Sequence, residues 1–444
     1  MQNPTRKTRT LTYGEAIAPS EALARFITPE RVSEAADRLG VVQRDRKVSV
    51  FALVWTLVLG FQSGSERTLE ALRHVYQKMA GHSIVRSAFY TRLTAPLTKL
   101  LREVALEAMD SLSASAAAPR GYLAYFKELL AVDSSVIRLH EWLANTYAAC
   151  RTNHTKAAAK LHAVINVLDG SPTRVKFTSE RTSDVTPWKR VGQWLRGRLL
   201  LFDLGYYSFH LFNRIDQNGG FFLSRVKSNA NLLITAVNRT CRGQAVPVVG
   251  QHLQDVLPRL QRQILDAQVE VTFKRRGYRG KQSTGTQIFR LVAVLNQDTG
   301  HYHCYITNVP SDVLAAEDFT RTYALRWQVE IFFKAMKHYG HLDQLPSRKQ
   351  CVVECLVWAS ILSIIASQVL HRHIRRAISR TRHTPVLRWA ALFARVAEDL
   401  LRGILVPDQV ADDVLGALLV RDAQDPNVNR PGRAIDPQLC GLRT

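Results

Sequence analysis

Two apolar segments, each with a single acid, constrain the fold of this chain more than any other feature. Residues 129–139 have the sequence LLAVDSSVIRL and carry Asp133, and residues 199–205 have the sequence LLLFDLG and carry Asp203. Both runs have the length and the aliphatic content of buried β-strands. A carboxylate in such a strand is costly to bury unless it is paired or binds a cation. We therefore predict an α/β fold in which neighbouring strands hold the two acids side by side near their ends.

A third acid lies in an amphipathic segment, residues 323–337, with the sequence YALRWQVEIFFKAMK. At roughly 100° per residue, one helix over this segment carries polar side chains on a narrow face: Tyr323, Arg326, Glu330 and Lys337, with Lys334 close by. An apolar stripe on the opposite side predicts packing on a core: Leu325, Val329, Phe332 and Met336. A solvated face with an Arg326–Glu330 ion pair is one interpretation. A site formed by Glu330 with the two strand acids is the other.

The net charge indicates a polyanionic partner. The 444 residues include 60 lysines and arginines against 37 acids, which leaves a formal charge of +23 and a sequence pI near 10.1. Such an excess repels itself unless a polyanion is bound, and nucleic-acid phosphates are the usual one. Charge that serves only solubility is the alternative. An anionic membrane would also attract it, but the sequence has no continuous basic amphipathic helix to lie on one.

A glycine-containing basic loop at residues 274–285, KRRGYRGKQSTG, lies between two strand-like segments. Such a loop fits contacts to a phosphate backbone, although a solvated hairpin tip would have the same composition. The predicted DNA contacts of this loop are Lys274, Arg275, Arg276, Tyr278, Arg279 and Lys281.

No feature of the sequence predicts secretion or membrane insertion. Residues 1–12 are polar and basic, without the apolar core of a signal peptide. The most apolar run, residues 356–370, is shorter than the roughly 20 residues that a membrane span needs, so it predicts a buried helix. The 6 cysteines form no Cys-x-x-Cys pair, which disfavours disulfides and zinc cages. We expect a cytoplasmic, nucleoid-associated protein.

The N-terminal region has helical periodicity and offers a candidate DNA-binding motif. A helix that stops at Gly81 and a second that runs from Ser83 to the turn before Pro96 fit a helix-turn-helix in a major groove. A plain helical bundle is the alternative. Changes of pattern along the chain predict these divisions: a helical domain at 1–112, a linker at 113–120, α/β segments at 121–227 and 310–375, a mostly β insertion at 228–309, and a helical C-terminal region with a tail at 376–444.

Three carboxylates brought together are typical of two-metal phosphoryl transfer. They can hold two divalent cations about 4 Å apart, which activate a water or a 3′-hydroxyl and stabilise the leaving oxygen. Mg²⁺ suits an open, oxygen-rich site of this kind, with Mn²⁺ as a substitute. The predicted ligands are Asp133, Asp203 and Glu330. The sequence contains no Walker phosphate loop, Gly-x-Ser-x-Gly elbow or His-Glu-x-x-His motif that would indicate a different chemistry.

The segment 323–337 resembles the Tyr-x2-Arg-x3-Glu-x6-Lys signature of bacterial insertion-sequence transposases of the Asp-Asp-Glu (DDE) type, the IS-four family. All four signature letters match, and Trp327 stands where the family often has tryptophan. VDSS around Asp133 resembles the first acidic block of the family. DLGYYS around Asp203, followed by FFLSRVKSNA with Arg225 and Lys227, resembles the second. The resemblance covers about residues 120–375.

This resemblance implies a ribonuclease-H-like catalytic domain with a mostly β insertion between the second Asp and the Glu, preceded by the α-helical DNA-binding domain and followed by the helical C-terminal region. It implies a metal-dependent transposase that binds the terminal inverted repeats of its element on double-stranded DNA, cleaves the ends and joins them to target DNA. It also implies a homodimer in the synaptic complex. The residues expected to contact DNA phosphate are Tyr323, Arg326, Lys337, Lys334, Arg225 and Lys227.

Two rival functions are open: the first would have an identical site, and the three intact carboxylates argue against the second. One is a ribonuclease-H-like nuclease that hydrolyses DNA without strand transfer, and the other is an inert DNA-binding relative that acts as a repressor. It is also open whether excision passes through a DNA hairpin. Relatives that form hairpins carry a base-stacking aromatic residue in the insertion, but no tryptophan lies between Trp194 and Trp327. Tyr278 or Phe273 would have to serve instead.

Overall fold

The computed structural model describes residues 18–42, 48–62, 68–116, 118–150, 155–240, 246–274, 283–342, 345, 347–378 and 384–424. The N-terminal part of this described region is helical, as predicted. Its helices are α1 (Pro19–Phe26), α2 (Pro29–Arg38), α3 (Val50–Leu59), α4 (Leu69–Ala80), α5 (Arg86–Tyr90) and α6 (Ala95–Ala114).

The candidate helix-turn-helix differs from its prediction in the second helix. α4 ends as expected at Gly81, which adopts φ +68 in the left-handed region that glycine favours. The second helix, predicted from Ser83 to the turn before Pro96, is only α5 with 5 residues. The reason is local, because Thr94 caps the next helix instead: its hydroxyl accepts from the Leu97 N–H at 3.4 Å. Binding of DNA by this region stays a prediction.

Strands and helices follow one another in the remainder of the described chain. The strands are β1 (Glu128–Leu139), β2 (Ala157–Asn166), β3 (Pro172–Ser179), β4 (Arg198–Phe202), β5 (Phe221–Arg225), β6 (Leu233–Val237), β7 (Ile264–Lys274), β8 (Thr284–Leu295) and β9 (Tyr302–Thr307). The helices are α7 (Phe209–Gln217), α8 (Leu253–Val256), α9 (Phe319–Ala324), α10 (Trp327–His338), α11 (Gln350–Ala377), α12 (Val386–Leu405) and α13 (Gln409–Ala423).

A single mixed sheet of nine strands, in the order β3-β2-β1-β4-β5-β9-β8-β7-β6, forms the centre of the described structure. β1 is parallel to β4 and β4 is parallel to β5, whereas all other neighbours are antiparallel. Residues 228–309 contain the predicted β-rich segment. Its strand β9 pairs with β5, so these strands extend the central sheet rather than form a separate one. This mixed sheet with its helices confirms the predicted α/β class.

The turn between β2 and β3 shows how local sequence specifies part of this sheet. Gly170 has φ +73, a left-handed conformation that few other residues adopt. The Asp169 Oδ1 accepts from the Ser171 N–H at 2.9 Å, which closes a side-chain turn. The hairpin predicted at residues 169–172 is therefore confirmed.

The sheet separates two hydrophobic cores. Along β1, Leu129 and Ala131 belong to the core shared with α6, α10, α11 and α12, and Leu130 and Val132 to the core on the other face. α11 is long and apolar enough to cross a membrane by composition, with a mean hydropathy of 1.9 in its most apolar window. Because 83% of that window is buried inside the fold, α11 is the central helix of the first core, as the sequence predicted.

Candidate active site

Asp133 and Asp203 occupy equivalent positions on two adjacent parallel strands. The β1–β4 pairing runs from Glu128 beside Arg198 to Val132 beside Phe202. Asp133 is the next residue of β1, and Asp203 is the first residue after β4, which ends at Phe202 rather than continuing to Gly205 as predicted. The two acids therefore lie at the same level of the sheet. Because side chains alternate along a strand, both acids point to the face that packs against α10.

The segment that carries the third acid is not the single helix that its periodicity predicted. Tyr323 lies in α9 and Glu330 in α10, and a tight turn at Leu325 and Arg326 separates the two helices. The Val329 N–H donates to the Arg326 carbonyl at 3.1 Å, a bond of the 3₁₀ type that winds the chain more tightly than an α-helix. The apolar stripe is nevertheless buried as predicted: Leu325, Val329, Phe332 and Met336.

Arg326 and Glu330 form an ion pair on the sheet-facing side of α10. The Arg326 Nη2 donates to the Glu330 Oε1 at 2.6 Å. Burial alone would lower the pKa of Arg326, but the bond to Glu330 and the neighbouring Tyr323 and Asp203 raise it overall. The Arg326 Nε is buried and has no hydrogen-bond partner among the described residues. The guanidinium is therefore permanently charged, and its bond to Glu330 uses one of its five N–H donors.

Tyr323 connects α9 to the strand end that carries Asp203. Its hydroxyl donates to the Phe202 carbonyl at 3.2 Å, and its ring lies 5.8 Å from the Arg326 guanidinium carbon. Burial raises the pKa of Tyr323 to about 12, with the Asp203 charge acting in the same direction and Arg326 against it. The phenol is therefore protonated at neutral pH, and its single proton is used by the Phe202 carbonyl.

The environment of Asp133 disfavours its ionised form. The pKa of Asp133 is raised from 3.8 to about 6, chiefly by burial, and the charges of Asp203 and Glu330 act in the same direction. The Ser134 N–H, which donates to the Asp133 Oδ1 at 2.7 Å, and the Arg326 charge oppose this rise. Two neighbouring acids and burial therefore act against ionisation of Asp133, and the Ser134 N–H and Arg326 act in favour of it.

The carboxylate oxygens of Asp133, Asp203 and Glu330 are ligands that suit a divalent metal, but the three side chains are not all brought together in this structure. No group of three His, Cys, Asp or Glu side chains within the described ranges is close enough together to enclose a metal ion. At this site, the Glu330 Oε1 is bonded to Arg326 instead. Mg²⁺ needs only one or two carboxylates from the protein when waters and substrate phosphate supply the remaining ligands. The Asp133–Asp203 pair meets that requirement.

The predicted phosphate-binding residues are spread along the same edge. Arg225 ends β5 and is exposed one position beyond Ser224, the partner of Phe202, so it lies level with Asp203. The Lys227 ammonium lies 5.6 Å from the Tyr207 ring, just past β5. Lys334 and Lys337 follow Glu330 at helical spacings of four and seven along α10, on the same face.

The DNA contacts predicted in the basic loop at residues 274–285 either lie away from this edge of the sheet or fall outside the described residues. Lys274 ends β7, the third strand beyond β5. The β7 residue level with Arg225 is Asp266, so Lys274 lies eight residues, or on the order of 25 Å, further along the strand, towards the opposite edge of the sheet. The other predicted members of that loop lie outside the described residues: Arg275, Arg276, Tyr278, Arg279 and Lys281.

Asp184 is a residue of this region that the sequence did not reveal. It lies in the irregular segment between β3 and β4, and its Oδ1 accepts from the Ser134 hydroxyl at 2.8 Å and from the Lys160 ammonium at 3.0 Å. The first contact joins residues 50 positions apart, so no local pattern could have predicted it.

His162 lies beside Asp184 and predicts a pH dependence of stability. Burial lowers the pKa of His162 to about 4, with Lys160 and Lys176 acting in the same direction and Asp184 opposing. The unfolded chain therefore binds more protons between pH 4 and the ordinary histidine pKa of 6.5. The neutral form of His162 stabilises the fold above pH 6.5, and we expect about 3 kcal/mol to be lost as the pH falls through 4.

Urea unfolding across this pH range measures the effect. The unfolding free energy of the His162→Gln variant should fall less steeply with acidification than that of the natural chain. His301→Gln, a change at an exposed turn, is the control and should keep the natural slope. Identical slopes for all three proteins would show that His162 does not titrate in this way.

Comparison with known proteins identifies relatives over most of the chain. The profile of the family described as "Transposase DDE domain" matches residues 124–366, a span that includes all three acids. The transposase for insertion sequence element IS231B of Bacillus thuringiensis subsp. berliner is 24% identical over 372 residues, which cover 78% of each chain. The IS231F transposase of Bacillus thuringiensis subsp. israelensis is 23% identical over 377 residues, again 78% of each. Among solved structures, a piggyBac transposase synaptic complex with hairpin DNA overlaps 95% of this chain and 88% of its own at a TM-score of 0.42 and 11% identity.

Proposed function

The chain belongs to the transposase DDE domain family, whose profile matches more than half of its length, and from that premise we propose that it is a metal-dependent DNA transposase of the Tyr-Arg-Glu-Lys, IS-four type. It binds the terminal inverted repeats of its mobile element, cleaves the ends and transfers them to target DNA. The observation that carries this proposal is the level placement of Asp133 and Asp203 on adjacent parallel strands, facing the helix that presents Glu330.

The three acids would hold Mg²⁺, or Mn²⁺ in its place. When bound, the metal ions activate the attacking water or 3′-hydroxyl and stabilise the leaving oxygen of the phosphodiester. The proximity of the three acids supports this assignment, because the charges of Asp203 and Glu330 both act on Asp133. Ser134 contributes by holding the Asp133 carboxylate through its backbone N–H.

Arg326 is the residue best placed to bind the phosphate that is cut. Its planar guanidinium suits bidentate contacts to phosphate oxygens, and its charge acts on Asp133 at the centre of the site. Tyr323 has a different role in this conformation. Since its only proton is donated to the Phe202 carbonyl, it orients the strand end that carries Asp203 rather than a phosphate. Arg225, Lys227, Lys334 and Lys337 add positive charge along the DNA path.

The wider arrangement follows from this chemistry. Residues 121–227 and 310–375 form a ribonuclease-H-like catalytic domain, residues 228–309 its insertion, and the N-terminal helices the domain that recognises the element. Two ends must be processed together, so a homodimer on double-stranded DNA is the working unit. The net charge of +23 supports tight binding of DNA in the cytoplasm, at the nucleoid.

Cleavage of labelled DNA from the borders of the element that carries the gene tests the proposal. The natural chain should cut these fragments with Mg²⁺ and leave them intact in EDTA. Glu330→Gln should lower the rate on the order of 1,000-fold, because a metal ligand supplies several kcal/mol of transition-state stabilisation. Glu317→Gln, which removes an exposed partner of Arg239, is the matched control and should cut normally.

The same gels separate the rival functions. Pre-cut ends that are joined to a target plasmid identify a transposase, whereas cutting without joining identifies a nuclease. Binding without cutting identifies an inert relative. Normal cutting by Glu330→Gln would remove Glu330 from the set of ligands.

A further inference from the structure

A polar network lies directly behind the candidate active site, on the opposite face of β1. Ser134 follows Asp133 in the strand, so its side chain points away from the acids. Its backbone N–H donates to the Asp133 Oδ1 at 2.7 Å, and its hydroxyl donates to the Asp184 Oδ1 at 2.8 Å. One residue therefore connects the catalytic carboxylate to a second carboxylate on the other side of the sheet.

Asp184 is held firmly from the neighbouring strand β2. The Lys160 ammonium donates to the Asp184 Oδ1 at 3.0 Å and to the Thr182 carbonyl at 3.2 Å. Both members of this ion pair are largely buried, with side-chain exposures of 13% for Lys160 and 27% for Asp184. The fully buried His162 adds its Nδ1 at 3.9 Å from the same carboxylate oxygen. Water screens such a pair less than it screens a surface pair, so the contact restricts movement of Asp184.

The network also reaches the segment that carries Asp203. A Cβ added at Gly205, two residues past Asp203, would lie 3.6 Å from the Asp184 Oδ2, which shows how closely the carboxylate approaches that backbone. The buried Tyr206 donates its N–H to the Asp203 carbonyl at 3.0 Å. Burial, together with the charges of Asp133 and Asp184, raises the pKa of Tyr206. Asp184 therefore lies close to the chain next to both proposed metal ligands, at Ser134 beside Asp133 and at Gly205 beyond Asp203.

We propose that Asp184 is a positioning residue for the metal ligands: with Lys160 and Ser134, it holds the strand ends of Asp133 and Asp203 at the separation that a divalent cation requires. This inference rests on the proposed function. Asp133 and Asp203 repel each other in a site without metal, and unsupported strand ends would move apart. Support from behind keeps the pair in place, because small displacements of catalytic groups are costly in rate.

Direct metal binding tests this role without relying on activity. Electron paramagnetic resonance of free Mn²⁺, titrated with the full chain, reports the affinity of the site. Asp184→Asn should weaken Mn²⁺ binding about 10-fold or more, which is the typical effect of losing a partner of the metal ligands. The Mg²⁺ concentration for half-maximal cleavage should rise by a similar factor, whereas binding of element ends in EDTA should stay within about twofold.

Asp169→Asn is the matched control, because it also removes a largely buried carboxylate, the partner of Arg372, at the far end of the β2–β3 hairpin. Its Mn²⁺ affinity should equal that of the natural chain. Ser134→Ala keeps the backbone donor but removes the link to Asp184, and it should weaken Mn²⁺ binding about fivefold. If Asp184→Asn does not fold, the Mn²⁺ affinity of Ser134→Ala tests the positioning role of Asp184.

The outcomes separate this inference from the proposed function. Natural Mn²⁺ affinity in both Asp184→Asn and Ser134→Ala would overturn the positioning role, even if either variant unfolded at a lower temperature. Cleavage by the natural chain in that case would leave the proposed function intact. A natural chain that neither binds Mn²⁺ nor cuts DNA would overturn both.

Discussion

Replacing Asp133 with asparagine is expected to abolish DNA cleavage and, at the same time, to stabilise the metal-free protein. The loss of a metal ligand should lower the cleavage rate on the order of 1,000-fold. The gain arises because burial raises the pKa of Asp133 from 3.8 to about 6. In the metal-free fold, the carboxyl therefore favours its neutral form, and its contribution to stability is complete below pH 4 and lost as the pH rises through 6.

An asparagine is neutral at every pH and avoids this loss. Above pH 6, Asp133→Asn should therefore raise the unfolding free energy of the protein in EDTA by up to about 3 kcal/mol. Urea unfolding at about pH 8 measures this, and the advantage should disappear at about pH 4. Asp298→Asn, in the exposed turn between β8 and β9, is the control and should change neither cleavage nor stability.

The predicted loss of cleavage and the predicted gain of stability can each be contradicted separately. Cleavage by Asp133→Asn at the natural rate would show that Asp133 is not a ligand. A variant less stable than the natural chain in EDTA at alkaline pH would show that the ionised carboxylate is well accommodated. Stability gained where activity is lost is what a site that concentrates negative charge for a metal should display.

Replacing Arg290 with methionine is expected to cause the largest loss of stability among the charged residues considered. Arg290 and Asp266 are 3% and 2% exposed, and the Arg290 Nη2 lies 2.6 Å from the Asp266 Oδ2. The Arg290 Nη1 also donates to the Leu314 carbonyl at 2.8 Å and to the Pro310 carbonyl at 3.1 Å. Removing Arg290 leaves a buried carboxylate without its partner, which costs about 3–5 kcal/mol.

Urea unfolding of two further variants shows whether burial of the ion pair causes this loss. Arg290→Met combined with Asp266→Leu should recover most of the loss, because neither charge is then left buried alone. Arg239→Met, which breaks the exposed pair with Glu317, should cost less than about 1 kcal/mol. Equal losses in Arg290→Met and Arg239→Met would mean that burial does not determine the effect.

Arg290 also has a functional consequence, because its carbonyl partners lie in the segment that leads into α9. The guanidinium joins β7 and β8 to that segment, and its carbon lies 5.0 Å from the ring of Phe319, the first residue of α9. Strands β7 and β8 are thereby coupled to the helix pair that carries Tyr323 and Glu330. Arg290→Met should for this reason reduce cleavage as well as stability.

The sequence alone predicted the local elements that carry the acids. The apolar run around Asp133 was predicted as a strand at residues 129–139, and β1 spans Glu128–Leu139. The stripe from Leu325 to Met336 was predicted to be buried, and it is. These predictions succeed because aliphatic content and periodicity act over a few neighbouring residues and favour burial wherever the segment lies.

The tertiary structure alone decided how those elements meet. The pairing of β9 with β5, the tight turn that separates α9 from α10, and the contact of Ser134 with Asp184 have no local signature. Each depends on hydrogen bonds or packing between segments far apart in sequence, whose partners are chosen only when the sheet forms. The sequence thus determined the two strands and the helix that place the three acids, with Asp203 just past the end of its strand. The fold determined which groups lie beside and behind the acids.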